Sequence, residues 1–277
     1  MKMELIELLK EIKENNFKFN ENIDKYQLAQ ELLENIGNHD GFIRDGLIYP
    51  ILANLLYYDN LSKEEMVKIT RTLLGEKGMK FDMPNYYDFS VLTRSFSLLA
   101  LVIIVYRQRN DKILPDELFN KLYSEFLDYF DNETDFRGYV DEVGWAHSVA
   151  HSADLFSQLF KCNELGEKEF KTMFEHIKDR FMINTYVFIS DEDERMVTAL
   201  VEAINRDVLS KKFLLEWING FKSLKKLAKF PEDYNVDINI RNLLRSLYFR
   251  LRGNSEYQYL LIALEKVLDE LNTHKKK

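Results

Sequence analysis

Apolar positions recur at three- and four-residue spacing along almost the whole chain, the period of a helix with one buried face. Leu5, Leu8, Leu9 and Ile12 make one stripe, and Leu28, Leu32, Leu33 and Ile36 make another. Roughly twelve such segments follow one another, divided by short polar or glycine-containing breaks. These breaks include 37–41, 59–62, 75–85, 110–115, 131–143 and 163–166. Ser62 stands ahead of Glu64 and Glu65, and Ser190 ahead of 191–194, as caps with first-turn acids. Pro115 takes the place of a first helical residue. The run 184–190 is the one β-like stretch, and it reads equally well as the end of a helix.

Short links between many helices predict antiparallel helical hairpins. Two-helix units of roughly 40 residues have the size of HEAT-like repeats, although no strict repeat consensus is present. The expected fold is all-α: antiparallel hairpins stacked as an irregular α/α superhelix. No linker marks a boundary, so residues 1–277 are expected to form a single domain.

Composition narrows the classes. Ten Gly and four Pro in 277 residues exclude collagen-like, low-complexity and turn-rich β architectures. A net charge of −8 argues against the whole protein serving as a counter-ion for nucleic acid or anionic lipid. Residues 206–252 do hold eleven Lys/Arg against five Asp/Glu, including Lys222, Lys225, Lys226, Lys229, Arg241, Arg245, Arg250 and Arg252. Without interleaved aromatics or a nucleic-acid motif, these read as solvated helix faces paired with acids. Cys162 is the lone cysteine, which rules out an internal disulfide and fits a reducing cytoplasm. The apolar stretch 98–106 is far shorter than the roughly 20 residues that cross a bilayer, so it reads as a core helix. The N-terminal stripe carries acids that interrupt any apolar leader region. The terminal Lys275, Lys276 and Lys277 read as a solvated end.

Candidate chemistry concentrates in residues 137–156, RGYVDEVGWAHSVAHSADLF. With a helix beginning near Gly144, His147, His151 and Asp154 fall at i, i+4 and i+7 on one narrow face. Trp145, Val149, Phe156, Leu159 and Phe160 fall opposite, where core is expected. Ala146, Ala150 and Ala153 flank the histidines and admit a close neighbouring helix. Two histidines and a carboxylate at this spacing are a possible ligand set for a divalent metal such as zinc or manganese. They equally suit a general base with an orienting acid. Structural hydrogen bonding within a helix pair is the plainer alternative. Cys162, about 16 Å along the helix from His151, is out of reach as a partnered nucleophile.

Further polar residues sit in apolar surroundings. Arg44 and Asp45 precede Leu47, Ile48 and Tyr49; Arg94 interrupts an apolar helix with Ser90 and Ser97 on its stripe; Asp193, Glu194 and Arg195 open a later helix. A buried arginine must be paired. Either these are structural ion pairs, or Arg44, Arg94 and Arg137 converge on an anionic or polyhydroxyl ligand.

The pieces RDGLIY (44–49), LTRSFSLL (92–99), FRGYVDEVGWAHSVAHSADL (136–155) and DEDERM (191–196) carry a resemblance. With them the chain resembles a bacterial family known as domain of unknown function 2785. Members more often show Gly-Lys-Gly before the tryptophan, where this chain has Glu142-Val143-Gly144. The resemblance implies no established reaction. It implies that these polar pieces recur together, which favours a shared polar site. The expected protein is therefore a cytoplasmic helical ligand-binder with a concave polar site. His147, His151 and Asp154 are its candidate catalytic or metal-binding wall. Arg44, Asp45, Arg94, Arg137, Tyr139, Trp145, Asp193 and Glu194 are its candidate ligand contacts. If it is catalytic, metal-assisted hydrolysis by a bound water is the expected class. The alternative is a non-enzymatic helical scaffold for a protein partner.

Overall fold

The computed structural model describes residues 1, 3–58, 60–83, 89–222 and 229–272. Lys225, Lys226 and Lys275 to Lys277 lie outside the described residues. The fold is mostly α. The chain runs α1 (Met3–Glu14), α2 (Lys25–Glu34), the single turn α3 (Gly41–Ile43), a π-helical turn (Arg44–Ile48), α4 (Tyr49–Tyr57), α5 (Lys63–Leu73), α6 (Ser90–Asp111) and α7 (Asp116–Asn132). A small hairpin, β1 (Tyr139–Val140) and β2 (Gly144–Trp145), interrupts the helices. There follow α8 (Ser148–Leu159), α9 (Glu167–Phe181), α10 (Glu192–Asn205), α11 (Lys211–Gly220), α12 (Glu232–Leu251) and α13 (Gln258–Leu271). The sequence offered no boundary, yet the chain packs as two compact units, Met1–Leu155 and Phe156–Lys277, with the division inside α8.

The first unit is built on α6, against which α4 and α5 pack. By length and composition α6 is apolar enough to span a membrane, but 72% of its apolar window is buried by the fold, as in a core helix. Its three serines, Ser90, Ser95 and Ser97, are buried, and small side chains let neighbouring backbones come close. Gly37 uses the same device: a Cβ there would lie 2.6 Å from the Thr93 backbone nitrogen. Ser62 caps α5 in a reciprocal box with Glu65, as its position predicted.

In the second unit α12 packs on α10 and α13, and α11 packs on α13. Residues 184–190 form neither strand nor helix. They are held by two asparagines of α12: Asn235 donates to Asn184 O at 3.0 Å, and the buried Asn239 accepts from Phe188 N at 3.0 Å and donates to Tyr186 O at 2.8 Å. An amide offers both a donor and an acceptor, so it substitutes for a neighbouring strand. Ser190 is not the cap of α10. Asp191, at φ +63°, precedes that helix, and Glu192 turns back to accept from Ser190 N at 2.7 Å. Several basic residues of 206–252 are engaged within this unit. Arg206 donates to Phe160 O and Cys162 O, Arg241 to Asp237 O, and Lys222 and Arg250 pair with Glu270 and Glu194.

Candidate functional site

The expected helix does not begin near Gly144, because residues 139–140 and 144–145 pair as a hairpin. Tyr139 pairs with Trp145 and Val140 with Gly144 in an antiparallel hairpin. The ribbon extends one step outward, with Ala146 N donating to Gly138 O at 2.8 Å and His147 N to Arg137 O at 3.1 Å. Gly144 has φ +82°, a region open to glycine and costly for side chains, and this allows the tight return. Helix α8 then begins at Ser148, with His147 at φ +51° just before it.

Alternation in a ribbon sends successive side chains to opposite faces. Val140 and Ala146 face inward and pack with Val143, Val91, Leu92 and Phe89. Tyr139 and Trp145 face outward, 57% and 43% exposed. Their rings meet edge to face at 4.9 Å, and Trp145 lies over the His147 ring at 4.1 Å. Trp145 is therefore surface, and the expectation that it joins the core is corrected. Val149, Phe156, Leu159 and Phe160 are buried as expected.

Beneath the hairpin, His151 is buried, with its Nδ1 at 3.1 Å from Ser95 O of α6. Its ring meets Phe96 edge-on at 5.4 Å and the His147 ring at 5.7 Å. Ala146, Ala150 and Ala153 are fully buried, but Ala146 belongs to the ribbon and only Ala150 and Ala153 lie on α8. The neighbouring serines are spent on backbone: Ser148 Oγ donates to Asp135 O, and Ser152 Oγ to Ser148 O.

Arg44 comes from the π-helical turn, in which Tyr49 N bonds Arg44 O, and such turns re-aim a side chain off the helical face. Its side chain is fully buried, with the guanidinium 4.7 Å above the Phe96 ring. It donates to Asn38 O at 2.8 Å, to Asp45 Oδ2 at 2.8 Å and to Val143 O in the hairpin turn at 2.7 Å. Arg44 Nε has no hydrogen-bond partner. Burial holds the Arg44 guanidinium below its ordinary range, against the pull of Asp45. Burial likewise pushes the Asp45 carboxyl up despite Arg44. The Asp45 side chain keeps 41% exposure, so water screens that effect.

Arg94 is placed differently. Its Nε and Nη2 make a bidentate pair with Glu133 at 2.7 and 3.1 Å, and Nη1 donates to Ser90 Oγ and Phe81 O. Glu133 also accepts from Tyr129 OH and from the backbone N–H groups of Thr134 and Asp135. Burial pulls the Arg94 guanidinium down, but the bonds to Glu133 outweigh it and leave it above its ordinary range. Arg94 is thus engaged in a buried ion pair, with all three side-chain nitrogens bonded to protein atoms. Arg137 makes its own bidentate pair with buried Asp135 at the base of the hairpin and stays one-third exposed.

The structure thus brings Arg44, Asp45, Arg137, Tyr139, Trp145, His147 and His151 into one neighbourhood around the hairpin. Asp154 lies half-buried further along α8. Asp193 and Glu194 belong to the second unit, where Asp193 accepts from Ser246 Oγ at 2.9 Å and Glu194 pairs with Arg250. Among the described residues no three His, Cys, Asp or Glu side chains are grouped to hold a metal ion. The set His147, His151 and Asp154 therefore does not assemble as a zinc or manganese site. His147 precedes the helix, so the shared i, i+4, i+7 face on which the set rested is absent. Glu133, Asp135, Phe96 and Val143 are the supporting residues that sequence spacing missed. Glu133 lies thirty-nine positions from Arg94, a separation with no local signal.

Fold and site together define a mostly helical protein carrying an aromatic β-hairpin braced by buried arginine and histidine. The family described as "Protein of unknown function (DUF2785)" matches residues 81–249, more than half of the chain, and the chain belongs to that family. No curated protein and no solved structure matches it.

Proposed function

We propose that this chain is a ligand-binding protein that holds a polyhydroxyl ligand of the sugar type on the outer face of the hairpin. The carrying observation is the exposed pair Tyr139 and Trp145, backed by His147. Large aromatics are normally covered. Here they are held outward by inward-facing Val140 and Ala146 and by the Arg44 bond to Val143 O. A sugar has an apolar C–H face and a polar hydroxyl edge. The rings suit the first, and the one-third-exposed guanidinium of Arg137, held by buried Asp135, offers charged donors to the second. In this reading His147 and His151 brace the platform and perform no proton transfer. A cytoplasmic setting is part of the proposal, supported by the single buried thiol of Cys162.

The same Tyr, Trp and Arg composition is what protein–protein contacts concentrate at their centres, so a scaffold function is the second reading. Tryptophan emission separates them. Trp217 is buried, with its Nε1 bonded to Phe174 O, so a surface ligand is reported by Trp145. Titration with neutral mono- and disaccharides is expected to shift the emission of the wild type, and Trp145→Phe is expected to abolish the shift. No shift with any saccharide at about 100 mM, where even a weak site of Kd near 10 mM would be filled, sinks the sugar reading and leaves the scaffold.

A further inference from the structure

A second, independent feature of the first unit is a half-open cavity of about 390 Å³ lined by α2, α5, the turn that follows α5, and α6. This volume is at the lower end of the range for small-molecule sites, roughly 300–1,000 Å³. Its walls are fixed by contacts that leave no slack. At one end Gly37 brings the chain beyond α2 against Thr93, where any Cβ would clash with backbone. At the other, Gly78 passes so close to Leu73 that a Cβ would fall 2.5 Å from its Cα, and Met79 N bonds Leu73 O at 2.8 Å. The turn is tied from below by the buried Arg94, which donates to Phe81 O at 3.0 Å. The cavity lies between these contacts.

Its lining has a definite chemistry. Leu33, Ile69 and Phe81 supply apolar surface. Glu34 on α2 and Lys77 on the turn supply one charge of each sign, and neither forms an ion pair among the described residues. Thr93 and the Tyr26–Gln30 pair, bonded at 3.3 Å, add hydroxyl and amide groups. One anion, one cation and an apolar wall in so small a space select a small zwitterion with an apolar tail. An anionic metabolite would meet Glu34, and a neutral apolar molecule would leave both charges unused.

We propose that this cavity binds a free apolar α-amino acid, with its ammonium at Glu34, its carboxylate at Lys77 and its side chain against Leu33, Ile69 and Phe81. Apart from Phe81 and Thr93, the lining lies outside the residues matched by the family, so the site belongs to this chain's own N-terminal helices. It shares no residue with the hairpin platform, and either proposal survives the failure of the other.

The test is calorimetric titration of the full chain with leucine, isoleucine, methionine and phenylalanine. Two single-charge relatives of leucine serve as controls: leucinamide, which lacks the carboxylate, and 4-methylpentanoate, which lacks the ammonium. At least one amino acid is expected to bind, and each leucine relative to bind at least tenfold more weakly than leucine, or more weakly than the best binder if that is another of the four. Lys77→Gln is expected to erase the discrimination against leucinamide, and Glu34→Gln that against 4-methylpentanoate. Both positions are exposed, so unchanged melting temperatures will verify that the variants are folded. No heat with any of the four amino acids at about 10 mM, where a site of 1 mM Kd would be nearly full, overturns the proposal. So does equal binding of the single-charge relatives, or binding that neither substitution weakens.

Discussion

Two buried arginines in the first unit carry the same signature in the sequence, a lone cation in an apolar run, and they have opposite surroundings. Arg94 faces a carboxylate that is itself buried, and nearly every polar atom of the pair is used. Arg44 has only a half-exposed Asp45, two backbone carbonyls, an aromatic face and a nitrogen left over. Their shifts record the difference. Arg94 is held above its ordinary range because pairing overcomes burial, and Arg44 is held below because burial wins. A fully compensated buried charge locks a core. An under-compensated one persists when it does something else, and Arg44 reaches across ninety-nine residues of sequence to hold the hairpin turn.

The comparison breaks most visibly at Glu133. Glu133→Gln keeps the volume but leaves Arg94 buried without a counter-charge, and the expected loss is roughly 3–5 kcal/mol. Chemical denaturation measures it, and a loss under about 1 kcal/mol would show that the pair is not the lock described. Arg44→Met is expected to cost less, about 1–3 kcal/mol. It strands the buried Val143 carbonyl but also removes a poorly compensated charge. Its distinguishing effect is local. Hydrogen exchange at the amides of Ala146 and His147, which bond across the hairpin, is expected to accelerate more than global destabilisation explains. Uniform acceleration would deny Arg44 its anchoring role. Gly144→Ala comes next, at about 1–2 kcal/mol. It forces φ +82° on a residue with a Cβ and sets that Cβ 3.3 Å from Arg44 Nη2.

Much of this was legible beforehand, and the division is physical. Helices show in a sequence because their apolar period is local, so the stripes of α1 and α2, the Ser62 cap and the buried α6 were all readable. The hairpin was hidden because two residues per strand are too few to establish a period of two. The histidines of 147 and 151 also fit a helical face equally well until Gly144 is seen at positive φ. Arg44 and Arg94 could be recognised as needing partners, but Glu133 and Val143 are supplied by tertiary folding. The division of the chain within α8 leaves no trace in the sequence because a continuous helix crosses it.

Glu192 in the second unit extends the contrast to acids. It is 1% exposed, one oxygen accepts from Ser190 N and the other has no partner. Burial pushes its carboxyl above the ordinary 4.5, with the Ser190 bond opposing and Asp193 and Asp191 adding to the rise. A raised folded pKa means the folded state binds the proton more tightly than the unfolded chain. Its stabilising contribution is complete below about pH 4.5 and is lost as pH rises through the folded pKa. Glu192→Gln removes that dependence while keeping an acceptor for Ser190. The melting temperature between pH 4 and 8 is expected to fall less steeply in the variant than in the wild type, and parallel curves would place Glu192's titration near that of an exposed carboxyl.

The smallest effect on stability belongs to the residue given the largest role in binding. Trp145 is 43% exposed and touches mainly Tyr139 and His147 on the hairpin's outer face. Trp145→Phe leaves the inward residues and the Arg44 bond intact, so its cost should stay within about 0.5 kcal/mol, as for surface positions generally. Trp217→Phe is the internal control. It empties part of a packed core and strands the Phe174 carbonyl that Nε1 now satisfies, which costs about 1–3 kcal/mol. On the proposed reading, Trp145 stays on the surface for a ligand and adds little to the fold. If Trp145→Phe instead destabilised as much as Trp217→Phe, the platform would be a structural lid over His147, and the ligand reading of the hairpin would lose its support.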